Sequence, residues 1–517
     1  MNALYNTCIG DPFAYVAKRL NDDYGYKPVY WIAYDSFSEG LADKDNEIIK
    51  KEFPEICFHS FRDAWHNIFP EAVEMEAKES YLDVDTLNSI SRYELQALIM
   101  MDRMDSGYAF SFMERERHYL NLIKKWSVCL DLYHIDLVIS AINPHRVYDY
   151  VLYLVCRYKK IPFLTFQHTL CEDRTFCIDN IYTIGDIFGK SYERYLQDAR
   201  LTKADLPKDI LEQYEKVTKS YKDAAPPYMA QHNRDNKKAN RISTMTKRFF
   251  RSYRTRIFGP DSFLVKGVSA MKIRGKSLEN SYTSVFNQLY LVYKNTHYRN
   301  SLRKYYTSLA VEPDFSQKYI YLGLHYQPEE TTSPSGDMFV NQLLCVETLL
   351  RNTPDDMLIY VKEHPQQFQH HMEGHNCRNK DYYKDLLSSP RVRLMPLGMD
   401  SFQLMRHATA VATVTGTVGW EALMHHIPVI IFGLIWYEKM PGVLRVTDSA
   451  SASKIDSFIK EYQFDEHKVL AYLKAYEDNS VYAYHYFGQK ERTRISQETT
   501  VDNLVKQIVG RVNKLEK

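Results

Sequence analysis

The sequence has no long apolar run. No segment reaches the roughly 18–20 apolar residues that span a bilayer. The most apolar stretch, Ile427–Tyr437, is too short and is interrupted by Pro428 and Gly433, so no transmembrane helix is expected. The first residues, MNALYNTCIGDPFAY, lack a basic segment followed by an apolar one, and no signal peptide is expected. Cysteine is sparse and unpaired: eight residues, at 8, 57, 129, 156, 171, 177, 345 and 377, with no CxxC. This excludes a disulfide framework and points to reduced thiols in a cytoplasmic protein. An excess of one charge is also missing. Lys and Arg total 66 against 65 Asp and Glu, a net charge of +1, so nothing global points to nucleic acid. Glycine is scarce at 19, whereas tyrosine reaches 41. Tyrosine suits a polar-aromatic surface, and carbohydrate sites also use it for stacking.

What is present reads as globular, with 45% hydrophobic and 25% charged residues. A chain of 517 residues exceeds one core, and about 150 residues per domain suggests two or three units. Pro12–Asn21 reads as a helix, VYWIAY (29–34) as a buried strand, Ile56–His59 as a second short strand and Leu87–Leu130 as a long helical stretch. His134–Asn143 is an apolar strand, Pro144–Lys160 a helix and Ile161–Gln167 another strand. Strand, helix, strand over about 35 residues is a βαβ unit and implies a parallel sheet. The pattern weakens from Leu201 to Asp314, read as a helical connector that includes a Lys/Arg-rich segment at 231–256. Regularity returns with strands at Lys318–Tyr326, Met357–Pro365, Arg391–Pro396, Ala408–Val414 and Pro428–Gly433, interleaved with helices at Phe339–Arg351, Asp400–His407 and Val418–His425. The expected fold class is α/β with two parallel-sheet domains. The expected division is 1–200, connector 201–315, second domain 316–480 and a helical tail 481–517.

Three strand ends in the second domain carry candidate chemistry. Thr413-Val414-Thr415-Gly416-Thr417-Val418-Gly419-Trp420-Glu421-Ala422 ends a buried strand in a Thr/Gly turn that opens directly into a helix. Hydroxyls, backbone N–H groups and the positive end of the helix dipole meet there, which suits a phosphate. It is also the strand end where open α/β sheets bind ligands. Glu421, one turn in, is placed to accept from ribose hydroxyls or to hold the turn. The bland reading is a helix capped by threonine. Lys362-Glu363-His364-Pro365 follows another strand: Lys and His suit a base or phosphate, and a His of near-neutral pKa suits protonation of a leaving phosphate. The alternative is an ordinary loop histidine. Gln327-Pro328-Glu329 opens a polar, turn-rich loop after a third strand. Convergence of the three loops on one sheet edge weighs more than any one motif.

Together these residues resemble the capsule polysaccharide biosynthesis family, which includes bacterial Kdo transferases. There a QPE-type loop, a K-x-H-P motif and a T-x-T-G-T-x-G-x-E-A segment occur in this order. The resemblance covers Tyr319–Val446 well and the N-terminal half only in outline, through Asn143-Pro144-His145. It implies a GT-B fold, two Rossmann-type domains facing a cleft, with donor nucleotide held by the C-terminal domain. By resemblance, His364 and Pro365 contact the nucleotide, and Thr415 and Thr417 the phosphate. Lys362, Gln327, Glu329, Thr413, Gly416 and Glu421 complete the expected donor site.

A catalytic carboxylate is expected from the N-terminal domain. His145 and Asp149, spaced i, i+4, share one face near a helix start, where a carboxylate is stabilised as the anion. Asp149 is the candidate base or nucleophile. Alternatively it merely orients His145. Glu172, Asp173 and Arg174 follow the next strand, and Arg174 suits an acidic sugar carboxylate. The cluster His364, His370, His371, His375 and Cys377 does not match zinc spacing, and no DxD motif follows a strand. Neither cofactor nor metal is expected. The resulting expectation is a bacterial surface-polysaccharide glycosyltransferase using a nucleotide-sugar donor, CMP-linked Kdo or another acidic sugar favoured, and a glycan or lipid-linked glycan acceptor. It acts in the cytoplasm, with peripheral membrane contact through 231–256 as the secondary reading. The rivals are a CDP-linked polyol-phosphate transferase, a nucleotide-sugar epimerase and a non-catalytic glycan-binding assembly protein.

Overall fold

A computed structural model describes residues 1–33, 41–103, 110–168, 171–219, 264–266, 282–369 and 374–515. The basic segment 231–256, and with it the expected membrane contact, lies outside them. The strands in chain order are β1 (Asn2–Asn6), β2 (Lys27–Ala33), β3 (Cys57–Ser60), β4 (Leu137–Ser140), β5 (Phe163–His168) and β6 (Arg174–Ile178). A short hairpin of β7 (Leu264–Lys266) and β8 (Tyr282–Ser284) follows. Then come β9 (Tyr319–Gly323), β10 (Leu358–Lys362), β11 (Val392–Leu394), β12 (Ala410–Thr413), β13 (Val429–Ile431), β14 (Val443–Arg445) and β15 (Val481–Tyr482).

Two sheets organise the chain. The first runs β15-β6-β5-β4-β1-β2-β3, parallel from β3 to β5, with β6 and β15 antiparallel at the far edge. The second runs β11-β10-β9-β12-β13-β14 and is parallel throughout. Each sheet starts at its middle, builds outward to one side and then switches to the other. The reversal falls between β1 and β4 in the first sheet, and between β9 and β12 in the second. In doubly wound sheets the crevice beyond such a reversal is the ligand position. β4 and β12 are buried at every residue, as strands covered by helices on both faces must be. The Val147–Lys159 helix is buried from Val147 to Cys156, which explains why its sequence shows no polar face.

The structure differs from the sequence reading in three places. The stretch expected to be one helix, 87–130, is broken: Val84–Ile90 and Glu94–Met100 are separated by a 3₁₀ turn, and a new helix, Phe112–Leu132, starts at a Ser111/Glu114 capping box. Glu172, Asp173 and Arg174 do not trail a strand into the cleft, because Arg174 opens β6. Nor do residues 481–517 form a separate tail. β15 pairs with β6, and the Gln497–Leu515 helix lies on the Gly10–Tyr24 helix, with Arg19 paired to Asp502. The preceding helix, Glu466–Asn479, already packs on Gly189–Leu196, where Tyr195 donates to Asp478 at 3.0 Å. The chain thus crosses back to the first sheet, driven by apolar residues such as Leu504 and Ile508 that are buried there.

A buried carboxylate joins the two halves away from the cleft. Glu438 accepts from the Gly185 N–H at 2.7 Å and pairs with Arg445 at 2.5 Å. A Cβ on Gly185 would sit 2.7 Å from the Glu438 side chain, so only glycine permits this approach. Among the described residues no helix is long and apolar enough to cross a membrane.

Candidate functional site

At the second sheet's reversal, β12 ends at Thr413 and the Thr417–Met424 helix begins four residues later. Thr413 and Thr415 are buried and Thr417 is exposed, so the three threonines divide the work. The Gly416 N–H donates to Thr413 Oγ1 at 3.0 Å, and Thr415 Oγ1 donates to the Thr331 carbonyl at 2.9 Å. These two shape the turn. Thr417 is exposed at the helix N-terminus, where the dipole favours an anion. Gly416 is required by close approach: a Cβ there would meet Thr413 Oγ1 at 2.6 Å. Glu421, one turn on, is buried, and burial pushes its carboxyl up to about 7 although the Thr417 hydroxyl bonds to it.

His325, which the sequence reading left inside a strand, fills the reversal itself. Its Nε2 accepts from the Thr415 N–H at 3.1 Å and lies 3.0 Å from Thr413 Oγ1. An acceptor Nε2 places the proton on Nδ1. Burial, helped by the nearby His364 and Arg378, lowers its pKa to about 3, so the ring is neutral. A histidine directly after an apolar strand was the available signal.

The Gln327 and His364 loops meet over β9 and β10. Gln327 is buried and bound on every side. Its Oε1 accepts from Arg378 Nη1 at 2.6 Å and Gln342 Nε2 at 3.0 Å, and its Nε2 donates to the Val340 carbonyl. Arg378 in turn pairs with Glu363 at 2.8 Å, both side chains excluded from solvent, and Tyr383 donates to the same carboxylate. Gln327 and Glu363 are therefore the frame of the site. His364 caps a short 3₁₀ turn: its Nδ1 accepts from the Gln366 N–H at 3.2 Å, so the neutral ring carries its proton on Nε2. Burial first, then Lys362 and Arg378, lowers its pKa to about 4. Without a bound anion, His364 is therefore neutral near pH 7 and offers Nε2–H as a hydrogen-bond donor. Pro365 beside it is exposed. Lys362 is buried and donates to Ser401 Oγ at 2.9 Å; burial lowers its pKa.

The loop after β4 of the first sheet faces the loop after β9 of the second. His145 Nδ1 lies 3.7 Å from Glu330 Oε2 and 2.7 Å from the Asn143 carbonyl. Arg103 Nη2 donates to the His145 carbonyl at 2.5 Å and to the Ser333 carbonyl at 2.8 Å, and Gln96 donates to Ser333 Oγ at 2.8 Å. Glu330 was not singled out from sequence; the neighbouring Glu329, which was, is exposed. Burial pushes the Glu330 carboxyl up to about 7 against the pull of Arg103 and Arg146. Asp149 is fully buried. Its Oδ1 accepts from the Arg146 N–H at 2.7 Å as part of the helix cap, and burial raises its carboxyl to about 7.

The structure thus brings His145 to the edge of the C-terminal loops and holds Asp149 behind it. It does not bring Arg174 there. Arg174 is buried, pairs with Asp209 at 2.5 Å, donates to the Tyr482 hydroxyl at 2.7 Å and stacks on that ring. Its charge is used to fasten β15 and the Lys208–Lys219 helix to the first sheet, which corrects its assignment to an acidic substrate. Glu172 pairs with Arg492 in the same region. Among the described residues no group of His, Cys, Asp and Glu is arranged to hold a metal ion, and His370 and His371 lie outside them.

Residues 332–475 match the profile of the family described as capsule polysaccharide biosynthesis protein. No curated protein matches the chain. Among solved structures, the beta Kdo 2,4 transferase of Thermosulfurimonas dismutans KpsC is 13% identical over 68% of this chain and 82% of that one, with a TM-score of 0.29. The beta Kdo 2,7 transferase of the same protein is 16% identical over 43% of this chain, with a TM-score of 0.23, and the match spans 66% of its length. The UDP-GlcNAc 2-epimerase of Methanocaldococcus jannaschii is 12% identical over 92% of this chain and 98% of that one, with a TM-score of 0.22. The segment that matches the capsule polysaccharide biosynthesis model holds Lys362, His364 and the Thr415–Thr417 turn.

Proposed function

We propose that this protein is a glycosyltransferase that moves a sugar from a nucleotide-activated donor to a glycan or lipid-linked glycan at the inner face of the membrane. The observation that carries the reading is the pairing of two strand-end edges. One edge offers neutral donors and a helix N-terminus beside exposed Thr417; the other offers His145 within ion-pair distance of Glu330. The first suits a nucleotide phosphate and the second suits proton transfer at an acceptor hydroxyl. The donor contacts are Thr417, the turn at Thr415 and Gly416, and His364 Nε2–H with Pro365. Gln327 and Thr413 hold these in place, with Lys362 and Glu421 behind them. As bond cleavage places charge on the leaving phosphate, the helix dipole and the His364 donor stabilise it without reorganising. With Arg174 engaged elsewhere, no cation is assigned to the carboxylate of an acidic sugar, and a CMP-linked donor such as CMP-Kdo is favoured by the family resemblance.

A thermal-shift panel with CMP, CDP, UDP, GDP and dTDP tests the donor site. A ligand at about 100 times its Kd adds about 2.7 kcal/mol. Stabilisation by a cytidine nucleotide, reduced in His364→Ala, is the expected outcome. His364→Ala removes one donor to a charged ligand and should weaken binding by about tenfold, near 1.5 kcal/mol. Equal stabilisation of both proteins would remove His364 from the site, and no response to any nucleotide would overturn the reading. Conversion of a sugar nucleotide in the absence of glycan would replace transfer by epimerisation.

A further inference from the structure

Tyrosine is abundant in this chain, and one group of tyrosines gathers outside the donor site. A groove of about 850 Å³ opens between the Val285–Leu309 helix and the 376–382 segment. Ligand sites span roughly 300–1,000 Å³. We infer that this groove is a glycan-binding site beside the proposed donor site. The inference stands on the groove's own lining and needs no transfer step.

The helix supplies one wall. Tyr293, His297 and Ser301 recur every four residues, so they share one face, with Lys294 and Tyr298 beside them. Tyr293 is 70% exposed, and its ring stacks with that of exposed His297, centroids 6.1 Å apart and planes 21° apart. The two rings form an aromatic shelf at the surface. Asn295 and Ser301 on the same wall have no hydrogen-bond partner among the described residues. The facing wall holds Asn379 and Tyr382. Asn379 Oδ1 caps the Lys380–Leu386 helix by accepting from the Tyr382 N–H at 2.7 Å, which leaves the exposed amide N–H₂ to donate. Tyr298 fixes the walls together, its hydroxyl donating to the Arg378 carbonyl at 3.1 Å.

Chemistry selects the occupant. A pyranose has a C–H face that packs on an aromatic ring and a rim of hydroxyls that pair with amides and hydroxyls. Exposed rings beside unspent amides match both features. A second nucleotide phosphate would need free positive charge, and the Arg378 guanidinium is already spent. Its Nε donates to Glu363 at 2.8 Å, its Nη1 to Gln327 at 2.6 Å, and it lies 4.3 Å over the Tyr382 ring. The lining holds no Asp or Glu among the described residues, and Lys294 is the remaining ammonium. Neutral and acidic sugars are therefore both admitted. Arg378 also belongs to the donor frame through Gln327 and Glu363, so the groove and that frame meet at one residue.

Isothermal titration of the full chain with maltohexaose, chitohexaose and a hexamer of galacturonic acid tests the site. The three probes present neutral hexose, N-acetylated and acidic rings. At least one should bind. Tyr293→Ala should weaken that binding about three- to tenfold, the scale of one aromatic contact. Asn295→Ala, which removes one hydrogen-bonding side chain, should weaken it about fivefold. Neither side chain carries a core contact or a hydrogen bond of the fold, so both variants should melt with the wild type. No binding of any of the three, or binding that either variant leaves unchanged, overturns the site. If both variants weaken binding in a chain that no nucleotide stabilises, the groove stands and the transferase reading falls.

Discussion

At the reversal of the first sheet the Gly10–Tyr24 helix starts against Asp45, whose carboxylate accepts from the Gly10 N–H at 2.5 Å and the Asp11 N–H at 3.2 Å. At the reversal of the second, His325, a neutral ring, accepts from the Thr415 N–H ahead of the Thr417–Met424 helix. The strand order up to each reversal is the same, and a helix begins just past a central strand in both, after β1 in the first sheet and after β12 in the second. What differs is the side chain that occupies the anion position. In the first sheet the protein supplies its own anion, and a phosphate would meet a second negative charge there. In the second sheet the plug is neutral, and the exposed residue Thr417 begins the helix that follows the turn it holds. Fold alone therefore does not say which half would bind a nucleotide; on the proposed reading one carboxylate decides it.

The largest effect should come from transplanting that carboxylate. Thr417→Asp puts an anion at the N-terminus of the second helix, where it imitates Asp45. Nucleotide binding should weaken by at least about 100-fold, near 2.8 kcal/mol. The unliganded protein should become more stable by roughly 0.3–1 kcal/mol, because a carboxylate there favours the helix dipole. Thermal shift with and without nucleotide reads both at once. Retained affinity would mean that the phosphate does not sit at this turn.

The reciprocal change is smaller and affects folding only. Asp45→Asn leaves one acceptor for two backbone donors and turns an amide N–H₂ toward them. A cost of about 1.5–3 kcal/mol in denaturant unfolding is expected, the scale of hydrogen bonds to a charged group. It should not create a nucleotide site, because the asparagine side chain still fills the place ahead of the Gly10 and Asp11 N–H groups. A nucleotide-induced shift gained by Asp45→Asn in a chain that also carries Thr417→Asp would break the comparison.

These contrasts also show what a linear reading can hold. Five of the six strands of the second sheet were legible because each is a short apolar run ending at or near Gly, Pro or Thr, whereas β14, three half-buried residues, was missed; the three loops converge because parallel strands share one carboxyl edge. β1 was missed: NALYN is five residues long and half polar, and only its place beside β2 and β4 makes it central. The return of β15 to the first sheet is a contact between residues 174 and 482, invisible to local pattern. The same holds for function. Arg174 has the right chemistry for an acidic sugar, but Asp209 and Tyr482 reach it first. Glu330 looked like one more acid in a polar loop until the fold set it against His145. Residue type is local information, whereas the partner of a charge is tertiary.

The smallest expected effect concerns Asp149, on the N-terminal edge. Burial raises its carboxyl from 3.8 to about 7. A carboxyl raised in the folded state binds its proton more tightly there than in the unfolded chain. Its favourable contribution is complete below pH 4 and is lost as pH rises through 7. At about 1.36 kcal/mol per unit the ceiling is about 4 kcal/mol. Asp149→Asn removes that loss and keeps the oxygen that accepts from the Arg146 N–H. However, it buries an amide N–H₂ where Oδ2 has no partner among the described residues, a cost of about 1–3 kcal/mol. The net expectation is a variant more stable than wild type by ~1 kcal/mol at pH 8 and less stable by a similar amount at pH 4, read from denaturant midpoints at the two pH values. A constant difference across pH would mean that Asp149 does not titrate in this window.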